Sequence, residues 1–222
     1  MSGSENGDVA RAGRIKQQYR DAIEAMRNGG VVALPTDTVY GLCAIATNSE
    51  AVRRLYQIKR RSLDQPLPVF VGSIEQARIV ADLSAAAERL MQRFWPGALT
   101  IVLPKKPSYR TLAAAGSETI GVRQPADIVL CEVALQLGPI TSTSANISGR
   151  PECRTADDVR AQLGDAVDVI VESPLPAAGA PSAVVDATDA AVVRVLREGE
   201  ITARTLQEYL GDEVRVESGA SP

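Results

Sequence analysis

A chain of 222 residues, 45% of them hydrophobic, is long enough to bury one sizeable core or two small ones. With 24 Lys and Arg against 27 Asp and Glu and a pI near 5.2, it is not built to coat nucleic acid, so any basic site must be local. Histidine is absent, which excludes histidine-based triads, histidine metal sites and the commonest general base.

Residues 1–8 read as a disordered leader without the basic-then-apolar order of a signal peptide. Ile15, Tyr19, Ala22, Ile23 and Met26 then recur at helical spacing until Gly29-Gly30 ends the helix. The apolar run 31–34 predicts a buried strand. It opens into Pro35-Thr36-Asp37-Thr38-Val39-Tyr40-Gly41, too short for a helix, and a second strand is expected over 40–45. Two hydroxyls and a carboxylate therefore sit at a strand end, where open α/β sheets bind ligands. An ordinary turn satisfied by its own side chains is the plainer alternative.

Ser49 is placed to cap a helix with Val52, Leu55 and Tyr56 on its apolar face and Lys59 and Arg60 in its last turn. A loop over 62–66 and a strand over 67–71 then turn Lys59 and Arg61 back over the sheet, where they suit a triphosphate. A solvated basic helix end is the competing reading. Two helices follow, opened by Ser73 with Gln76 and by Ser84, the second carrying Ala87, Leu90, Met91 and Phe94 on one face. Trp95-Pro96-Gly97 breaks it, with Trp95 as a packing anchor before a strand over 99–103. The loop 104–117, with Lys105, Lys106 and Arg110, is a lid or plain surface.

A strand over 119–122 delivers Arg123, whose guanidinium is shaped to grip a carboxylate bidentately, or else to make a surface ion pair. After a helix over 126–137, Ile140 begins a strand that runs into Thr141-Ser142-Thr143-Ser144-Ala145-Asn146. Four consecutive hydroxyl residues read as a phosphate cradle of hydroxyls and amide N–H groups, closed by Asn146 and eased by Gly149. Alternation puts Ser142 and Ser144 on one face, Thr141 and Thr143 on the other. Thr155 with Asp158 caps a further helix, ended by Gly164, before a strand over 167–171 and a flexible loop over 173–181. Strands over 182–186 and 191–196 form a hairpin leading to Arg197. Thr202 caps a last helix with Leu206, Tyr209 and Leu210, and the tail 212–222 reads as disordered. Without a linker or repeat, one domain is expected over 15–210.

Cys43, Cys131 and Cys153 are odd in number and lack a C-x-x-C pair, which argues against a disulfide framework or thiolate metal site; Cys43 reads as packing. No apolar run reaches the roughly 18 residues of a membrane span, so a cytoplasmic protein is expected.

Six motifs in order, PTDTVYGL, K-x-R at Lys59 and Arg61, FWPGALT, GVR, STSANISG and SAVVD, make the chain resemble the YrdC-type threonylcarbamoyl-AMP synthases over residues 15–210. The resemblance implies an α/β (α+β) YrdC-like fold, a twisted mixed β-sheet flanked by helices with a concave ligand-binding face. It implies that L-threonine, bicarbonate or CO2, and ATP become threonylcarbamoyl-AMP and pyrophosphate for the t6A modification of tRNA. It assigns Lys59 and Arg61 to catalysis and to the ATP phosphates, with Thr119, Ser144, Asn146 and Arg197 also holding ATP. Thr36, Thr38, Arg123 and Ser142 would hold threonine. Mg²⁺ would come with ATP, bridging phosphates and water rather than a protein cage, with Asp37 either near its water shell or structural. Downstream t6A-transfer proteins are the implied partners.

The chain departs from the pattern at Phe70, where many relatives carry histidine, in lacking a histidine soon after Arg123, and at Ser62 and Glu152. These changes bear on the threonine pocket more than on the nucleotide. Two rival readings follow from the same fold: a double-stranded-RNA- or ribosome-binding protein without synthase activity, and carbamoyl-adenylate chemistry on another acceptor; tRNA or double-stranded RNA is a further candidate partner.

Overall fold

The computed structural model describes residues 3–173 and 182–218. Helix α1 (Gly3–Arg27) precedes strands β1 (Val32–Leu34) and β2 (Gly41–Ile45), then α2 (Ser49–Lys59), β3 (Val69–Phe70), α3 (Ile74–Val80) and α4 (Ala85–Phe94). Next come β4 (Leu99–Pro104), β5 (Thr119–Arg123), α5 (Ile128–Leu137), β6 (Ile140–Ser144) and α6 (Ala156–Leu163). The chain continues through β7 (Val169–Ile170), β8 (Ala183–Asp186), β9 (Val192–Arg197), α7 (Ala203–Leu210) and β10 (Arg215–Ser218). All ten described strands join one mixed sheet in the order β10, β9, β8, β4, β5, β3, β6, β2, β1, β7.

Three expectations change. The described part of the expected leader is helical, because once the Tyr19, Ala22 and Met26 stripe docks, adding N-terminal turns no longer carries the cost of nucleation. The expected disordered tail instead makes a short 3-10 turn and then β10, parallel to β9; Val214 and Val216 join the core, and β9 supplies the ladder that so short a segment cannot make alone. Asn48, not Ser49, caps α2, and Asp127 caps α5, each accepting backbone N–H groups of the first turn. The loop expected over 173–181 lies outside the described residues beyond Ser173.

The sheet has two unlike faces, set by strand alternation. Leu42, Val69, Ile101, Leu103, Ile120, Val122, Val185 and Val195 point to one face and share the main core with α2, α4 and α7. On the other, α1 and α5 cover only the β7 end, packing Met26, Leu130, Val133 and Ala134 on Val32, Leu34, Cys43 and Ile140. Beyond their edge the same face is left open, and there the strands carry Ser142, Ser144, Arg123, Gly121, Thr100, Val102 and Val184. Incomplete helical cover thus creates a hollow lined by residues that pattern as outward-facing. Trp95 packs as expected, 8% exposed with its Nε1 donating to Leu99 O at 2.7 Å.

Candidate active site

The hollow has a volume of about 460 Å³, within the usual range for a small-molecule site. Arg61, Arg123 and Arg197 line it against one carboxylate, Glu152, so a chain with net charge −3 concentrates positive charge there.

Thr36 organises the first wall. Its Oγ1 donates to Val39 O at 2.6 Å and accepts from Thr38 N at 3.0 Å and Val39 N at 3.2 Å, so this hydroxyl is spent closing the turn. Thr38, whose Oγ1 lies 3.0 Å from that of Thr36, lines the hollow beside it. Tyr40 joins the segment to the hydroxyl-rich turn: its carbonyl accepts Ala145 N at 2.7 Å. Ser142 stands opposite Cys43 in the β2–β6 register. The Cys43 thiol donates to Ser142 Oγ at 3.4 Å, leaving the hydroxyl proton for another acceptor. Burial pushes that thiol up to about 12, so it remains a neutral packing group.

Arg123 is held on three sides. Nε donates to Gly97 O at 2.9 Å, Nη2 pairs with Asp37 Oδ2 at 2.6 Å, and the guanidinium carbon sits 5.5 Å from the centre of the Phe70 ring. Phe70 and Arg123 are direct partners on β3 and β5, which is why ring and guanidinium stack. Burial pulls the Arg123 pKa down and the Asp37 charge opposes it; at an arginine this leaves the cation intact. Nη1 has no partner among the described residues, so its two N–H groups remain available to a ligand. At the far end, Arg197 donates twice to Ser182 O, at 3.0 and 2.8 Å, and Ser182 Oγ meets Thr100 Oγ1 at 3.2 Å.

A family model described as Sua5_yciO_yrdC: Telomere recombination matches residues 24–199. The chain belongs to the Sua5/YciO/YrdC family. It is 37% identical over 206 residues to the threonylcarbamoyl-AMP synthase of Pyrococcus abyssi, covering 91% of this chain and 60% of that protein. Against the threonylcarbamoyl-AMP synthase of Vibrio cholerae it is 35% identical over 189 residues, covering 83% of this chain and 99% of the relative. The structure of P. abyssi Sua5 complexed with L-threonine superposes with a TM-score of 0.82 at 33% identity, over 92% of this chain and 63% of that one. The chain therefore spans about three fifths of the length of its Pyrococcus relative.

Of the residues expected to form this family's site, Thr36, Thr38, Arg61, Arg123, Ser142, Ser144 and Arg197 all line the hollow. Three do not. Thr119 shares a face of β5 with Gly121 and Arg123 but lies two residues further back, paired with Ser117 Oγ at 2.9 Å. Lys59 and Asn146 bond to each other behind the wall, and Lys59 is only 2% exposed. Asp37 pairs with Arg123 Nη2 and accepts Ala126 N at 3.3 Å. Of the loop expected over 104–117, no residue lines the hollow. Thr100, Ser182, Phe70 and Glu152 line it without having been singled out as binding residues. Thr100 and Ser182 close and open the FWPGALT and SAVVD motifs, so the signal was present; that they meet depends on β4 pairing with β8.

Proposed function

We propose that this chain is an L-threonylcarbamoyladenylate synthase, a nucleotidyltransferase that forms threonylcarbamoyl-AMP and pyrophosphate from L-threonine, bicarbonate or CO2, and ATP, for t6A modification of tRNA. The observation that carries this reading is the buried Arg123, with Nη1 unpartnered among the described residues, in one hollow with Thr38, Ser142, Arg61 and Ser144. Its likeness to a Sua5 solved with L-threonine supports the threonine assignment, and 35–37% identity to threonylcarbamoyl-AMP synthases supports the reaction.

In this proposal Arg123, Ser142 and Thr38 hold the threonine carboxylate and hydroxyl, while Arg61, Ser144 and Arg197 hold the nucleotide. The threonine amine takes up CO2 and loses a proton, giving a carbamate. A carbamate oxygen then attacks the α-phosphorus, the bond to the β-phosphate bridging oxygen breaks, and pyrophosphate leaves. No protein nucleophile is needed, so alignment and positive charge near the α-phosphate are what the chain supplies. That suits a protein without histidine. Among the described residues no three His, Cys, Asp or Glu side chains gather as a cation cage. Mg²⁺ would come with ATP, held by its phosphates and water, and would neutralise phosphate charge. Among the described residues no helix is long and apolar enough to cross a membrane. A cytoplasmic setting, and transfer of the product by separate t6A-transfer proteins, belong to the same proposal.

Pyrophosphate release from ATP is expected to require both threonine and bicarbonate and to fall at least about 100-fold in Arg61→Ala, the scale of losing one aligned transition-state donor. Release equally fast without threonine overturns the assignment. A second expectation concerns Gly41. A Cβ there would lie 2.7 Å from Ser142 Oγ and 3.1 Å from Thr36 Cγ2, so alanine displaces the hydroxyl assigned to threonine. Gly41→Ala should weaken threonine binding about tenfold by calorimetry, or about 1.4 kcal/mol, with ATP affinity little changed.

A further inference from the structure

The K-x-R pair does not act as a pair of like cations. Arg60 lies between its members in the left-handed region, with φ 52°, and the two side chains leave the end of α2 in different directions. Arg61 reaches the hollow, where Nη2 donates to Pro66 O at 3.1 Å. Lys59 goes inward.

We infer that Lys59 is a positioning residue, whose ammonium clasps the Ser144–Asn146 turn to the end of α2 and touches no substrate phosphate. The inference rests on the reading above that Ser144 and Arg61 face the nucleotide. An ammonium has three protons. Those of Lys59 are taken by Ser144 O, by Asn146 O at 2.9 Å and by Asn146 Oδ1 at 3.2 Å, with Ser144 Oγ at 3.5 Å beyond them. No donor remains for a phosphate.

Asn146 is equally committed. Its Nδ2 donates to Ile147 O at 3.2 Å and to Arg150 O at 2.7 Å while Oδ1 accepts from Lys59, so its amide has no N–H left to offer a nucleotide phosphate. The main chain repeats the link, Ser148 N donating to Lys59 O at 2.9 Å. The cation is thus stabilised by oriented dipoles rather than by a hydrogen-bonded carboxylate. Burial, then Arg61, lower its pKa to about 8, against weaker opposition from Cys153 and Glu152. The clasp determines where Ser144 sits at the edge of the hollow.

The test compares Lys59→Met, Asn146→Ala and the double variant. ATP affinity is measured by calorimetry, and amide hydrogen exchange at Ser148 in protein without nucleotide. Each single change is expected to weaken ATP binding about tenfold, and the double variant to be no weaker than the worse single, because both remove one coupled unit. Ser148 exchange should rise about tenfold in either single variant. Losses that multiply in the double variant, unchanged exchange at Ser148, or a complex with a non-hydrolysable ATP analogue that puts Lys59 Nζ within about 3.2 Å of a phosphate oxygen would each overturn the clasp. If Lys59→Met does not fold, Asn146→Ala exchange and the analogue complex decide. If the unaltered chain binds no ATP, the synthase reading fails while the exchange comparison still judges the clasp.

Discussion

Arg123→Ala is expected to abolish threonine-dependent turnover and to lower folding stability by about 3 kcal/mol, because one substitution removes a ligand donor and strands a partly buried carboxylate. The side chains of Arg123 and Asp37 are 4% and 18% exposed, and Asp37 Oδ1 already lacks a partner among the described residues. Without Arg123, Asp37 keeps, among the described residues, the 3.3 Å contact from Ala126 N. The double variant Arg123→Ala with Asp37→Ala separates the two roles. It should recover much of the stability in urea titrations, since the unpaired charge is gone, and none of the activity. Arg123→Lys should behave nearly as badly as alanine in turnover, because a point-like ammonium cannot reach Gly97 O and Asp37 together while leaving a donor for a carboxylate. Full stability in Arg123→Ala would mean that the pair does not hold this end of β5.

Tyr40→Ala is expected to be the most destabilising single change near the site, costing about 3–5 kcal/mol, the usual price of truncating a buried aromatic. The side chain is 1% exposed, belongs to the main core, and donates from its hydroxyl to Val171 O at 3.0 Å. Its main chain is the seam of the site, with N donating to Cys153 O at 2.9 Å and O accepting Ala145 N at 2.7 Å. A cavity under that seam lets the threonine-side segment and the hydroxyl-rich turn move apart, so both affinities should fall together. Tyr40→Phe isolates the hydroxyl and should cost about 1 kcal/mol, the scale of one hydrogen bond. Chemical denaturation of the two variants checks the ratio.

Phe70 stands where the resemblance leads one to expect a histidine. A histidine there would offer a polar edge to the pocket. The phenyl ring instead gives Arg123 an apolar floor, and the adjacent Asp37 and Gly97 O supply the polar holds. This side of the hollow is therefore built around a fixed guanidinium rather than around a titratable group.

The elements of this chain were readable from its residues because they rest on local rules. Apolar spacing marked α2, α4 and the buried strands, Ser73, Ser84, Thr155 and Thr202 announced their helices, and the alternation of Ser142 and Ser144 told their face correctly. The polar clusters at strand ends identified most of the hollow for the same reason: hydroxyls and cations have no place in a sheet core unless a hydrogen-bond partner meets them. What only the tertiary structure decided is which groups find each other. Asp37 and Arg123 lie 86 positions apart, and Lys59 and Asn146 87 apart; whether each cation faces a ligand or a protein oxygen depends on strand register and on one left-handed residue, Arg60. The helical start and the strand at the end escaped notice because neither carries its own driving force. Each is held by a neighbour already in place, and that neighbour is distant in sequence.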